Sequence, residues 1–136
     1  MTTKGDIFEI VIGRGKVAFA QALNKPEFAF FTGNPIETNK QKPIFRLWVH
    51  KSAPKHWKKI GSAQPSDALV IEVPRFKKDP ISGNLSIYLN GQETAATLED
   101  IQNMECAAVW EEPHIIDRLA DHLAGRDNQW VESLKP

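Results

Sequence analysis

His114, Arg118 and His122 stand at i, i+4 and i+8, with Asp117 and Asp121 between them, in the segment PHIIDRLADHLAG. On a helix this spacing stacks the three basic side chains along one face. Imidazole beside carboxylate is common equipment for general acid–base chemistry, and a hydrolase site here would require both rings to converge on a cleft. The spacing opposes that chemistry and metal binding alike. Paired metal-binding histidines on one helix sit at i, i+4, whereas these are two turns apart with a guanidinium between them that repels a cation. Mixed charges at this spacing describe a solvated helix face.

The other reactive residue types are no better placed. Gly13-Arg14-Gly15 follows a strand pattern but leads into a second strand pattern, so it reads as a hairpin turn and not as a phosphate loop opening a helix. Cys106 lies in an apolar setting without an adjacent histidine or lysine to ionise its thiol. The serines fit no nucleophile elbow, and the carboxylate pairs Glu99/Asp100 and Glu111/Glu112 lack a partner that would split their roles. The expectation is a protein that is not an enzyme, with no catalytic residue, no metal site and no cofactor.

A third cluster is the segment HKSAPKHWKK, residues 50–59, which interleaves lysines with Trp57. Lysines beside an aromatic ring suit a phosphate backbone and an unstacked base. A small-barrel nucleic-acid or ligand-binding module using Trp48, His50, Trp57 and Arg75 is therefore one alternative. Against it stands a net charge of zero and a pI near 6.9, where a dedicated nucleic-acid domain is basic. Trp57 packed under a basic loop, with the lysine stems covering it, serves equally well.

The zero net charge conceals a polarity. Up to Lys78 the chain holds 14 Lys+Arg against 6 Asp+Glu, and from Asp79 onward 3 against 11. Such asymmetry marks a partner surface unless the halves face each other in the fold. At 136 residues with 41% hydrophobic content, the composition is that of one soluble globular domain over residues 1–136. One cysteine and no apolar run of bilayer length point to a reducing, cytoplasmic setting without a membrane.

The elements that position these residues are strands first and helices last. In GDIFEIVIG, Phe8, Ile10 and Ile12 alternate with Ile7, Glu9 and Val11, predicting a strand with one well-buried face; KVAFAQAL returns as its hairpin partner. EFAFFTG and PIFRLWVH follow as strands separated by the polar run ETNKQK. ALVIEV reads as a short buried strand, a turn spans Asp79 to Asn84, and Leu85, Ile87 and Leu89 share one strand face. Thr97 and Asp100 suit a short helical turn, and CAAVW reads as a strand. Pro113 and Gly125 bracket a helix whose stripe is Ile115, Ile116, Leu119 and Leu123, and Trp130 with Val131 anchors the tail. The fold class is α+β: a mostly β, bent antiparallel sheet of about five to seven strands or a partly open barrel, with the C-terminal helix packed on it.

Taken in order, GDIFEI, FAQAL, FAFF, LWVHKSAPKHWKKIG, FKKDPISGNLSIY, MECAAVWEEPHIIDRLADHL and NQWVESL resemble the immunity protein 26 family of bacterial polymorphic toxin systems, from about Lys4 to Leu134. The resemblance implies a mostly β fold and a role in binding and neutralising a cognate toxin domain. It carries over no catalytic residue and identifies no particular toxin. Many toxins of such systems are nucleases, whose basic grooves an acidic surface could occupy. Glu111, Glu112, Asp117 and Asp121 are the expected partner-binding residues on that basis. Lys55, Trp57, Lys58 and Lys59 are the alternative, for an acidic toxin.

Overall fold

The computed structural model describes residues 2–36 and 42–136. Most of the ETNKQK run, residues 37–41, lies outside them. Strands β1 (Asp6–Gly13) and β2 (Lys16–Ala22) form the expected hairpin, closed by Arg14 and Gly15. Both turn residues have positive φ, 52° and 75°, the geometry whose twist matches a two-residue hairpin. β3 (Glu27–Phe31) and β4 (Phe45–Val49) extend the sheet antiparallel.

The segment at 50–59 is not one loop. Ala53–His56 form a single 3₁₀ turn, and Lys58 and Lys59 begin β5 (Lys58–Ser62), which pairs antiparallel with β1. ALVIEV is not a buried strand: Asp67–Val70 form the one-turn helix α1, in which Leu69 is buried and Val70 exposed, and Ile71 just beyond it is exposed too. Its apolar run carries no alternation, and the carbonyls of Ala68 and Leu69 face Arg46 instead of a neighbouring strand.

A second sheet contains β6 (Arg75–Lys78), β7 (Leu85–Leu89), β8 (Gln92–Ala96) and β9 (Glu105–Cys106). CAAVW is divided between the sheets. Cys106 ends β9, parallel to β6, whereas Val109–Trp110 form β10, parallel to β4. The six-stranded order is β10-β4-β3-β2-β1-β5 and the four-stranded order β8-β7-β6-β9. The protein is thus mostly β with a helix on the sheet, as expected. Among the described residues the larger sheet has six strands, within the expected five to seven, a second sheet of four strands was not expected, and neither sheet closes into a barrel.

The larger sheet is buried on both faces. One face carries Phe8, Ile10, Phe28, Phe30, Leu47, Val49 and Trp110, closed over by Trp57 and by Ile115 and Leu119 of α2 (Glu112–Ala124). The other carries Phe19, Ala29 and Phe31 against Leu69. α2 stops at Gly125, whose φ of 70° lets its N–H return to the carbonyls of Asp121 and His122. Leu123, expected in the stripe, is half-exposed at the helix end. Trp130 and Val131 do pack on the main core, and they do so from a further helix, α3 (Gln129–Leu134), capped by Asn128 Oδ1. Thr97 and Asp100 bond reciprocally, yet the segment forms turns and not a helix. No helix among the described residues is long and apolar enough to cross a membrane.

Candidate functional site

The α2 face bearing His114, Arg118 and His122 is assembled from contacts between elements. His114 stacks on Trp130, with ring centroids 4.1 Å apart, while His122 sets its ring edge-on to Phe45 at 6.4 Å. The two imidazoles therefore serve different aromatic neighbours. Arg118 is not solvated as the mixed-charge spacing suggested. Its guanidinium lies over the rings of Phe45 and Trp110, at 4.2 and 4.9 Å, and forks onto both oxygens of Glu105, with Nη1 at 2.9 Å from Oε1. Planar stacking combined with a bidentate carboxylate is the geometry that arginine alone provides.

The four acidic candidates divide into two pairs. Glu111 and Glu112 lead into α2, Glu111 exposed and Glu112 half-buried, where the helix dipole favours negative charge. Asp117 and Asp121 fasten α3 onto α2: Asp117 Oδ2 accepts from Trp130 Nε1 at 3.0 Å, and Asp121 Oδ2 accepts from Asn128 Nδ2 at 2.9 Å. Arg126 pairs with the other oxygen of Asp121 at 3.1 Å.

The basic candidates are likewise split. Lys55, Lys58 and Lys59 are exposed, and Lys59 reaches buried Asp6 at 3.2 Å. Trp57 is 8% exposed and meets Phe8, Phe28 and Phe30 at centroid distances of 6.1, 5.8 and 5.9 Å. Packing among these phenylalanines is thus its observed role. Trp48, His50, Trp57 and Arg75 do not share one surface. Trp48 projects from the sheet face opposite Leu47, Val49 and Trp57, His50 Nδ1 contacts Ser52, and Arg75 is buried beneath the Trp48 ring at 4.8 Å.

Sequence reasoning singled out Arg75 but missed Glu27 and Arg46, the charged groups that share its cluster. Glu27 accepts from Arg46 through Nε and Nη2, at 3.2 and 2.8 Å, and from Arg75 Nη2 at 2.8 Å. Arg75 also donates to the Arg46 carbonyl at 3.1 Å, so one carboxylate ties β3, β4 and β6 together. Burial lowers the Arg75 pKa, and Glu27 opposes that shift. Only the start of a strand marks Glu27 in the chain, and nothing local announces partners 19 and 48 residues away.

Cys106 lines the wall of a largely apolar cavity of about 660 Å³ with Phe76, Ile101, Met104, Trp110 and Leu134. Burial, and secondarily the Glu105 charge, push its thiol pKa up, which keeps it protonated and a poor nucleophile. No three described His, Cys, Asp or Glu side chains gather as a metal site. Comparison with protein-family models, curated proteins and solved structures found no match.

Proposed function

We propose that this protein is an immunity protein that binds and neutralises a bacterial toxin domain by protein–protein contact, without catalysis, cofactor or metal. The observation that supports a partner-directed role is how the ion pairs are distributed. Arg46–Glu27, Arg75–Glu27 and Lys59–Asp6 lie within the basic half, and Arg118–Glu105, Arg126–Asp121 and Lys135–Glu132 within the acidic half. Among the described residues only Lys77–Glu93 joins the halves. The two halves thus leave most of their surface charge for a partner, and such charge accelerates encounter and selects a complementary surface. An acidic surface around Glu111 and Glu112 suits a basic nuclease groove.

The test is co-expression with the product of the neighbouring open reading frame, scored by growth arrest and its relief, together with affinity for that product measured over a salt series. Glu111→Lys with Glu112→Lys is expected to weaken binding and flatten its salt dependence. Asp117→Asn and Asp121→Asn retain side-chain acceptors for α3 while removing charge, so they separate binding from folding. Unchanged affinity and salt slope in all of these would move the interface to Lys55, Lys58 and Lys59. Failure of this chain to relieve any toxin would end the proposal.

A further inference from the structure

Sheet edges are sticky unless blunted, and among the described residues three of the four edges are. β9 and β10 each have two residues, and β5 carries Lys58 and Lys59 and a register shift against β1. β8 has none of these devices. Its five residues, QETAA, contain no lysine or proline, pair with β7 in unbroken register, and are exposed from Gln92 to Ala95. Its one carboxylate, Glu93, is drawn back over its own sheet by Lys77 Nζ at 3.2 Å and Ser86 Oγ at 3.0 Å.

The hairpin geometry sets which backbone groups face outward. Asn90 and Gly91 both have positive φ, so Leu89 and Gln92 close a two-residue turn as a hydrogen-bonded pair. Alternation along the antiparallel ladder then turns Gln92, Thr94 and Ala96 inward to β7 and leaves the N–H and C=O of Glu93 and Ala95 on the outer edge. A second antiparallel strand must bond to those two residues. Two copies centred on Glu93 would set like charges opposite each other, at a cost. Centring on Thr94 sets Glu93 opposite the partner's Ala95 twice, makes four backbone hydrogen bonds, overlaps all five residues and brings the two Thr94 hydroxyls together.

We propose that β8 is a self-association edge, at which two copies of this chain pair antiparallel across a two-fold axis at Thr94 and join their four-stranded sheets into one. The pairing is independent of the function proposed above, since it uses neither the acidic helix entrance nor the basic strand. The full chain, followed by sedimentation equilibrium over a concentration series, is expected to rise from the 15.3 kDa monomer to twice that mass. Ala95→Pro deletes an outward N–H without touching the ladder to β7. Thr94→Lys opposes two ammonium groups across the axis at a strand position that is exposed in the monomer. Each is expected to weaken association about tenfold or more, the scale of a like-charge clash or lost edge bonds. Circular dichroism identifies any variant that fails to fold, and Thr94→Lys stands as the decisive arm if Ala95→Pro does. A wild type that remains monomeric throughout overturns the pairing, as does undiminished dimerisation of folded Thr94→Lys. Loss of a heterologous partner from the variants of a monomeric wild type would assign the edge to that partner and likewise reject the second copy.

Discussion

Arg75 Nη2 lies 2.8 Å from Glu27 Oε2, and the same carboxylate holds Arg46 Nη2 at 2.8 Å through its other oxygen. One negative charge thus serves two guanidinium groups with side chains only 2% and 10% exposed. Glu27→Gln would leave both cations desolvated and facing each other. A destabilisation of about 3–5 kcal/mol is expected, the scale of a buried pair broken from one side. Urea denaturation of the two proteins checks this, and a change below about 1 kcal/mol would contradict the assigned role.

Arg118 and Glu105 test a different kind of contact, because the guanidinium both forks and stacks. Arg118→Lys keeps the charge but loses the second parallel hydrogen bond and the planar face over Phe45 and Trp110. A loss of about 1–3 kcal/mol is expected. Thermal unfolding at two salt concentrations separates packing from charge: the deficit should persist when salt is raised.

Trp57 brings a large ring and a buried Nε1 that finds no acceptor among the described residues. Trp57→Ala is expected to cost about 3–5 kcal/mol through the cavity it leaves among Phe8, Phe28 and Phe30. Trp57→Phe discards an unsatisfied donor along with some packing, and should cost less than about 1.5 kcal/mol. Equal losses in the two variants, by equilibrium denaturation, would show that the indole nitrogen has a partner.

Asp79 organises the turn into β7 by accepting from the N–H groups of Ile81 and Ser82, each at 2.8 Å. These bonds hold its pKa below the ordinary carboxylate value. Because the folded pKa is depressed, its contribution is present above about pH 4, the ordinary aspartate range, and is lost as pH falls through the folded value. The amides of Ile81 and Ser82 should therefore shift together in an NMR titration on the acid side. Asp79→Asn should abolish that titration while leaving the Leu85–Leu89 strand signals in place.

The legible parts of the fold were those with a short-range pattern. Alternation around Phe8 and Ile10 found β1, Arg14-Gly15 found its turn, and Pro113 to Gly125 bracketed α2. β8 escaped because QETAA carries no apolar alternation, and its pairing with β7 is imposed by the Asn90-Gly91 turn. ALVIEV misled because an apolar run of that length looks alike as a buried strand or as a helical turn with an exposed end. Of the candidate site residues, Trp57 was readable as core, since an aromatic under lysine stems has an obvious use. Asp117 and Asp121 were not readable as fasteners for α3, because their partners Trp130 and Asn128 are brought to them only by the reversal of the chain after Gly125.

The chain by itself determined its element types wherever period and turn chemistry agree, together with the polarity between a basic first half and an acidic second half. Both are sums of local terms. Tertiary structure alone decided that CAAVW is divided between two sheets, that Glu27 neutralises two distant arginines, and that Arg118 is stacked and not solvated. It also decided that the two charged halves exchange little of their charge. These outcomes depend on which surfaces meet, and the free energy of each contact comes from desolvation and geometry that exist only once the partners are in place.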